Sequence, residues 1–522
     1  MAAARYDAVV IGAGHNGLVA AAYLARAGRS VCVLEQREVL GGATVTEELF
    51  PGFHLSTCSY SLSLLRPEIV RDLELARHGL RVAAKDPALF APQPDGRALV
   101  LWRDPARQVE AVAGFSRADA AAWGPFWDQV EAAARVLRPL LLAPPPAPEQ
   151  VQAAFERLPG GAGYRRFVAG SVAELAESCF ESDAVKGYVA SQGVIGTAAG
   201  PWQPGTAFVF LYHAAGEVTG IPGAWGYVRG GMGSVAAAIA ADAREHGAVL
   251  RTAAPVERVL VSDGRATGVA LASGQEVTAR VVLSGAEPKR TLLGLVGAAH
   301  LPAEAAAAVA AWPTPGVVLK LNAALAALPD FTALPATPGP AHRGTVGICP
   351  SVAYLEAAWQ DAVAGRPSAA PFMEVFLQSA TEPTLAPPGR HTMSIFAQYA
   401  PYRLADGDWD TRRDEIARTV LDTLAGYAPN LDRVLLDYQA AGPPDLERRF
   451  GLTGGHIFHG ELLPEVSLGR RMPYRSPVAG LYLCGSGTHP GGAVTGAPGH
   501  NAARVVLDDL RVGEDAGARA RR

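Results

Sequence analysis

Residues 7–17 have the sequence DAVVIGAGHNG, in which an apolar run leads directly into glycines spaced as G-x-G-x-x-G. The run 7–11 predicts a buried parallel strand, and residues 18–27, which place leucine and alanine on one face, predict a helix. A second apolar strand, residues 30–34, ends at Glu35. This order of strand, glycine turn, helix, strand and acid predicts a βαβ unit that binds a dinucleotide.

Each residue of the glycine turn has its own predicted task. Gly12 allows the tight turn, Gly14 lets the backbone approach a pyrophosphate, and Gly17 lets the helix pack close to the strand. The helix N terminus, which begins with His15 and Asn16, offers free N–H groups and a partial positive charge to the phosphates.

Glu35 and the segment after it separate FAD from other dinucleotides. Glu35 is about 20 residues beyond the turn, where a carboxylate accepts the ribose hydroxyls and repels a 2′-phosphate. The following segment, QREVLGGAT, resembles the second flavin fingerprint of the glutathione-reductase-type flavoproteins, especially the amine oxidase and phytoene desaturase superfamily. In that family the paired glycines pass beside the FAD phosphates and ribityl chain. The resemblance implies FAD as the cofactor, held in part by Gln36, Arg37, Gly42, Ala43 and Thr44.

Two later segments also resemble FAD-binding elements of this superfamily. The predicted strand that contains Val256 is similar to the one whose backbone holds the adenine. Residues 480–485 predict a strand that ends in Gly485, and the glycine-rich loop and helix beyond it resemble the C-terminal flavin motif. There the glycines touch the ring system and the helix N terminus stabilises negative charge at its pyrimidine end, which implies contacts from Gly492, Ala493 and Val494. Within the superfamily, the chain is most similar to the group called pyridine nucleotide-disulfide oxidoreductase domain-containing protein 2.

The chain is too long, at 522 residues, for a single core. We predict an α/β protein with a glutathione-reductase-type Rossmann FAD domain and an α+β substrate domain with a mixed sheet. The FAD domain is discontinuous and takes residues 1–78, 225–297 and 475–522. The substrate domain takes residues 79–224 and 298–474.

Charge and cysteine content exclude several functions. A net charge of -4 gives no reason to expect nucleic acid as a partner. None of the five cysteines forms C-x-x-C, which excludes dithiol reduction and zinc-type spacing, so no metal site is expected. The sequence shows no signal peptide and no bilayer-spanning run, which predicts a cytoplasmic protein. Residues 108–148 contain leucine pairs followed by three prolines, which favours a packed cap helix over a peripheral membrane contact. A homo-oligomer is left open.

Helices are predicted at residues 116–142, with a kink at Pro139, and at residues 151–180. Residues 187–230 are rich in glycine and aromatic residues, among them Tyr212 and Trp225. This segment is either a loop-rich wall of the core or the lining of a substrate pocket beside the flavin.

The segment GGHIFHG, residues 454–460, places two histidines among glycines shortly before the last flavin motif. We predict that His459 faces the active cavity as a candidate general base. His456 is either a substrate contact or a hydrogen-bonded core histidine.

Lys320 is one of four lysines and lies in an apolar predicted strand, residues 314–325. A lysine there is costly unless its ammonium finds a partner or loses its proton. It is either an edge-strand lysine whose head reaches solvent or a functional group. Its position resembles that of the lysine which amine-oxidase-type flavoenzymes hold, through water, beside flavin N5. That resemblance implies a catalytic role for Lys320.

These features predict an FAD-dependent oxidoreductase that transfers a hydride from a largely apolar small molecule to flavin N5. The reaction is either C–C desaturation or C–N oxidation, and oxygen or a quinone reoxidises the flavin. The alternatives are a redox-neutral flavin-dependent isomerase and a flavin-bearing protein without turnover.

Overall fold

The computed structural model of the protein describes residues 5–335 and 337–520. The strands are β1 (Arg5–Ile11), β2 (Val31–Leu34), β3 (Thr46–Phe50), β4 (Phe53–Ser56), β5 (Val82–Ala84), β6 (Leu89–Pro92), β7 (Ala98–Leu101), β8 (Gly226–Val228), β9 (Val249–Arg251), β10 (Val256–Ser262), β11 (Arg265–Leu271), β12 (Glu276–Ser284), β13 (Val318–Leu325), β14 (Thr345–Ile348), β15 (Phe372–Phe376), β16 (His391–Gln398), β17 (Leu435–Ala441) and β18 (Leu481–Leu483). The α-helices are α1 (His15–Arg26), α2 (Pro67–Asp72), α3 (Pro105–Ala113), α4 (Arg117–Leu141), α5 (Pro148–Glu156), α6 (Val172–Glu177), α7 (Asp183–Gln192), α8 (Thr206–Ala214), α9 (Gly233–Glu245), α10 (Ala303–Ala310), α11 (Val352–Val363), α12 (Trp409–Ala425), α13 (Leu431–Val434), α14 (Pro443–Phe450), α15 (Pro464–Ser467) and α16 (Ala497–Ala520).

The first sheet is the predicted Rossmann sheet. Its strand order is β10-β11-β12-β1-β2-β9, and β18 pairs with β12. Strands β1, β2, β9, β12 and β18 are parallel to their neighbours in this set, so their carboxyl ends meet at one edge. Strands β10, β11 and β12 form the antiparallel part. Crevices outside the carboxyl ends of such strands are where α/β sheets bind ligands.

Two glycines let helix α1 approach its neighbours closely. A Cβ on Gly17 would stand 2.2 Å from the Gly12 carbonyl oxygen, at the end of β1. A Cβ on Gly499, in α16, would stand 2.1 Å from the carbonyl oxygen of Asn16. The N terminus of α1 is therefore held between the first strand and the last helix.

The second sheet is mixed, with strand order β17-β13-β16-β15-β14-β6-β7. Its pairs are antiparallel except β14 with β6, which are parallel. Because side chains alternate between the faces of a strand, Leu319 and Leu321 pack in a core with helix α12, whereas Lys320 points to the opposite face. The helical layer α4–α8 packs on that opposite face, through a core that includes Val318 and Phe396.

The mixed sheet and the Rossmann sheet confirm the predicted fold class, while the domain boundaries stay a prediction. The prediction of one helix at residues 151–180 is wrong. Helix α5 ends at Glu156, Gly160 adopts a positive φ of 86°, and a π-helical turn covers Arg165–Ala169. Helix α6 then starts afresh at a capping box, in which Ser171 and Glu174 bond each other's backbone N–H.

Residues 187–230 are also more helical than the sequence indicated, because they contain the end of α7 and all of α8. Every residue from Thr206 to His213 is buried, so α8 is an internal helix without the polar face that identifies a surface helix.

The leucines of residues 108–148 end helix α4, which runs to Leu141 with Pro139 inside it. Leu137 and Leu141 are buried. The carbonyl oxygens of Leu140 and Leu141 accept hydrogen bonds from His489 Nε2 and Asn501 Nδ2 at 2.8 and 3.0 Å. This packing is what a cap helix requires, and a peripheral membrane contact stays a prediction. Within the described ranges, none of the helices combines the length and apolar character needed to cross a bilayer.

The close approach at Gly17 makes Gly17→Ala strongly destabilising. We expect a loss of about 2 kcal/mol or more, because the new methyl group would overlap backbone atoms that cannot rotate away. Thermal unfolding without added cofactor measures this loss. Gly124→Ala is the control, since Gly124 lies within α4 and no described atom is within 4 Å of its added Cβ. We expect the control to be neutral or slightly stabilising, and equal melting temperatures for the two variants would contradict the close packing.

Candidate active site

One cavity runs from the carboxyl edge of the first sheet to the second sheet. At the first sheet it is lined by Ile11, Gly12, Gly14, His15, Asn16, Gly17, Leu34, Glu35, Gln36, Arg37, Gly42, Ala43, Val256, Gly285, Ala286, Arg290, Leu295, Ser486, Ala493 and Val494. Toward the second sheet it is lined by Cys58, Ser59, Tyr60, Ser61, Leu62, Ser63, Leu64, Ile195, His213, Trp225, Val318, Lys320, Phe396, Leu446, Phe450, Gly451, Leu452, Ile457, Phe458 and His459.

The acid at the end of β2 fixes the loops around the first end of the cavity. The carboxylate of Glu35 is buried, accepting from the Ala13 N–H at 2.8 Å and from the Arg37 N–H at 2.9 Å. Arg290 Nη2 donates to Gln36 Oε1 at 2.9 Å across the same end. Glu35 therefore ties the glycine turn to the segment that follows β2.

Four polar atoms on the cavity wall have no hydrogen-bond partner within the described residues: His15 Nε2, Asn16 Oδ1, Arg37 Nη1 and His459 Nδ1. Buried polar atoms are rarely left unpaired, because each such atom costs about 1–3 kcal/mol. Since all four belong to residues that line the cavity, a polar ligand would satisfy them.

The turn at the start of α1 has room for that ligand. A Cβ on Gly14 would meet no described atom within 4 Å, and Gly14 caps α1 without a side-chain hydrogen bond to the first turn that the structure describes. The free N–H groups of a helix N terminus suit a phosphate. The residues present therefore fit a dinucleotide whose phosphates lie against α1, as FAD requires.

Three of the predicted cofactor residues stand behind the cavity surface. Gly485 packs on the chain, since its Cβ would stand 2.5 Å from the Gly285 carbonyl oxygen. A Cβ on Gly492 would stand 2.4 Å from the side chain of Phe458. The hydroxyl of Thr44 donates to the Gly41 carbonyl at 2.7 Å. All three are outside the cavity lining and shape the loops that form it, whereas the other predicted cofactor residues line the cavity.

Lys320 lies at the far end of the cavity. The edge-strand alternative is wrong, because β13 lies between β16 and β17 and Lys320 is 1% exposed. Its Nζ donates to the Ser394 hydroxyl and stands 4.4 Å from the centroid of the Tyr60 ring. Burial lowers the pKa of Lys320 to about 7, while the charges of Cys58 and Glu374 oppose that shift. The ammonium is thus close to losing its proton at neutral pH.

The two histidines take different places. His459 lines the cavity with a positive φ of 55°. Burial, helped by His456, Arg471 and His15, lowers the pKa of His459 to about 3. A neutral imidazole suits a hydrogen bond better than a general base that must titrate near neutrality. His456 is 1% exposed and outside the lining; its Nε2 is 3.1 Å from Glu461 Oε1, and its Nδ1 accepts from the Phe458 N–H.

The aromatic segment contributes mostly to the wall behind the cavity. Trp225 lines the cavity together with His213. Tyr212 is 1% exposed and outside the lining, and its hydroxyl donates to the Gly492 carbonyl at 3.0 Å. We therefore assign Tyr212 to the support of the C-terminal flavin loop rather than to substrate contact.

Sequence analysis missed Tyr60 and Phe396 on the cavity wall. Phe396 is the cross-strand partner of Lys320, a pairing of β13 with β16 that no local pattern indicates. Tyr60 lies in a Ser- and Thr-rich run. Glu374, which is buried behind them, carried a usable signal: it is a charged residue in the apolar strand FMEVF, the same argument that identified Lys320.

The discontinuous Rossmann sheet, the mixed sheet and the cavity between them define the oxidoreductase class to which flavin amine oxidases belong. Two solved structures share this fold. An oxidoreductase from Methanosarcina mazei matches with a TM-score of 0.61 and 16% identity over 96% of this chain and 99% of its own. Cyclohexylamine oxidase from Brevibacterium oxydans IH-35A matches with a TM-score of 0.58 and 18% identity over 97% of this chain and 99% of its own.

Sequence comparison gives the family. Residues 10–73 match a family model described as an NAD(P)-binding Rossmann-like domain. Pyridine nucleotide-disulfide oxidoreductase domain-containing protein 2 of Rattus norvegicus is 42% identical over 97% of this chain and 94% of its own. The chain belongs to this family. More distant relatives are hydroxyneurosporene desaturase of Cereibacter sphaeroides, 28% identical over 96% of this chain and 97% of its own, and a limonene dehydrogenase polypeptide of Castellaniella defragrans, 24% identical over 97% and 95%.

The chain is therefore an oxidoreductase of the oxidase and desaturase type. The "disulfide" of the family name has no counterpart here, because all five cysteines are free and none forms C-x-x-C.

The open space at Gly14 separates cofactor binding from folding. Gly14→Val should fold normally, since Gly14 has an extended φ of -66° and its added Cβ meets no described atom. The branched side chain would nevertheless fill the place of a phosphate, so we expect loss of bound flavin. Absorbance of the purified variant and its thermal unfolding without cofactor measure the two effects. Full flavin content, or a stability as low as that of Gly17→Ala, would contradict this assignment.

Proposed function

We propose that the protein binds FAD non-covalently and dehydrogenates an uncharged, largely apolar molecule by hydride transfer to flavin N5. The observation that carries the proposal is the single cavity, in which unpaired polar atoms at one end suit a dinucleotide and apolar walls at the other suit a hydrocarbon. Cys484 and His489 are outside the cavity lining, which supports non-covalent binding.

FAD, when bound, would supply the hydride acceptor. The chain would bind its ribose and phosphates through Glu35 and the N terminus of α1. At the other end, Trp225, Ile195 and Phe396 would orient the substrate and keep water out of the cavity.

The charges of the lining select an uncharged substrate. Among the described residues that line the cavity, Glu35 is the one carboxylate, and it lies at the nucleotide end. An alkylammonium group near Lys320 would meet a cation and no partner. This favours C–C desaturation over oxidation of a charged amine. The names of two relatives, a hydroxyneurosporene desaturase and a limonene dehydrogenase, support a reaction of this kind.

Anaerobic mixing of the oxidised holoenzyme with candidate substrates tests the proposal. We expect a neutral isoprenoid hydrocarbon to bleach the flavin absorbance and a primary alkylamine of similar length to leave it unchanged at neutral pH. Bleaching by the amine alone would contradict the charge argument. Conversion of the hydrocarbon only after reduction with dithionite, with the flavin still reduced at the end, would identify the redox-neutral isomerase instead. Absence of any conversion would leave a flavin-bearing protein without turnover.

Lys320 gives the acceptor half of the reaction a test. A positive charge at the cavity wall stabilises superoxide formed when oxygen meets reduced flavin, so we propose oxygen as one acceptor and a quinone as the other. Lys320→Met should slow reoxidation by about tenfold or more while the fold and flavin content are kept. In the parent, the rate should fall as the pH rises through about 7, because the ammonium is present below that pKa and lost above it.

Stopped-flow mixing of photoreduced enzyme with aerated buffer measures both effects. Lys186→Met is the matched control, since Lys186 pairs with Glu177 and Asp183 and is outside the cavity lining. Equal rates in the parent and in Lys320→Met would remove Lys320 from the oxygen reaction and leave the quinone as the acceptor.

A further inference from the structure

Three side chains form a row across the cavity face of the second sheet. Lys320 in β13 pairs with Phe396 in β16, and Phe396 pairs with Glu374 in β15. Residues that face each other on neighbouring strands point to the same side of a sheet. Since Lys320 and Phe396 line the cavity, Glu374 stands two strands from Lys320 on that same face, 7% exposed.

The side chain of Tyr60 connects the two ends of this row. Its ring centroid is 4.4 Å from Lys320 Nζ, 5.8 Å from the Phe396 ring and 4.3 Å from the Phe376 ring. Its hydroxyl donates a hydrogen bond to the carboxyl group of Glu374. The face of one ring thus meets the ammonium while its hydroxyl meets the acid.

A second buried lysine flanks Glu374 on the side away from Lys320. Lys85 is 4% exposed, and its Nζ donates to the Thr345 hydroxyl at 2.9 Å. The same Nζ stands 4.3 Å from the centroid of the Phe376 ring and 4.8 Å from that of Tyr227. The charges of Lys85 and Glu374 act on each other, so one carboxyl group serves two buried ammonium groups.

We propose that Glu374 is a positioning residue that acts through Tyr60, and in competition with Lys85, to hold Lys320 in its charged form at the cavity wall. A tyrosine whose hydroxyl donates to a carboxylate presents a more electron-rich face to a cation, and the carboxylate adds its own Coulomb attraction. The proposal rests on the proposed function, because the charge on Lys320 matters through the reaction it assists.

The surrounding groups give the direction of the effect. Burial lowers the pKa values of Lys320 and Lys85, each to about 7, and raises that of Glu374. Cys58 also faces Lys320, but burial raises the pKa of its thiol to about 11, so the thiol stays neutral. Ser394, the remaining contact of Lys320, does not titrate.

Around Glu374, Gln192 Nε2 donates to the carboxylate at 3.1 Å. Tyr188 and Tyr227 also face it and stay neutral, because burial raises their pKa values. Removing the negative charge of Glu374 should therefore lower the pKa of Lys320, while removing the positive charge of Lys85 should raise it.

Lysine titration by nuclear magnetic resonance tests the proposal directly. The chain has four lysines, so protein labelled at lysine Cε gives four side-chain signals, which single lysine variants assign. The purified holoprotein is titrated as the parent, Glu374→Gln, Lys85→Met and Tyr60→Phe. Lys186, on the surface with its two carboxylate partners, is the internal control in every sample.

We expect the Lys320 midpoint to fall by about one pH unit in Glu374→Gln and to rise in Lys85→Met. Tyr60→Phe, which keeps the ring and loses the hydroxyl, should shift it in the same direction as Glu374→Gln but less. General damage to the core would move the first two variants in the same direction, so opposite shifts separate the proposal from a merely structural role. An unchanged Lys320 midpoint in Glu374→Gln would overturn it. If Glu374→Gln does not fold, Tyr60→Phe and Lys85→Met decide, and shifts of the same sign or of zero overturn the proposal.

This titration needs no turnover, so its outcome is independent of the substrate test. Opposite shifts together with no substrate-dependent bleaching would reject the proposed function and keep the role of Glu374. Bleaching together with an unmoved Lys320 midpoint would do the reverse.

Discussion

The parallel arrangement of the first sheet is the constraint on which the rest of the structure depends. Because β1, β2, β12 and β18 run in one direction, their carboxyl ends meet at one edge. The glycine turn, Glu35, residues 285–286 and Ser486 follow those ends directly, and all of them line the cavity. Segments that are hundreds of residues apart in the chain thus come together without long connecting loops.

The second sheet supplies what the first cannot, a charged group among apolar walls. Both of its faces are buried, one against α12 and the other against the helical layer and the cavity. Lys320 is tolerated there because its Nζ bonds Ser394, whose hydroxyl donates to Asn322 Oδ1, and Asn322 Nδ2 donates to the Thr57 carbonyl. A buried cation with this support can act on a reaction in the cavity, whereas an exposed one would be screened by solvent.

Sequence was sufficient wherever a local pattern had a physical cause. The strand, glycine turn and distal acid around Gly12 and Glu35 predict the Rossmann unit, and an isolated lysine in an apolar strand drew attention to Lys320. Sequence was insufficient where tertiary contacts decide. Whether Tyr212 lines the cavity or supports Gly492 depends on the packing of α8, an internal helix with no amphipathic signature. Likewise, the partnership of Lys320 with Phe396 and Tyr60 depends on strand register and on a loop far away in the chain.

A crystal structure of the protein purified with its cofactor tests the central claim most directly. The account predicts FAD with its phosphates against the N terminus of α1, its ribose at Glu35, and its ring system in the cavity between Val494 and Lys320. It also predicts hydrogen bonds from the ligand, or from ordered water, to His15 Nε2 and His459 Nδ1. A ring system outside this cavity, or a ligand that leaves Lys320 walled off from the flavin, would contradict it.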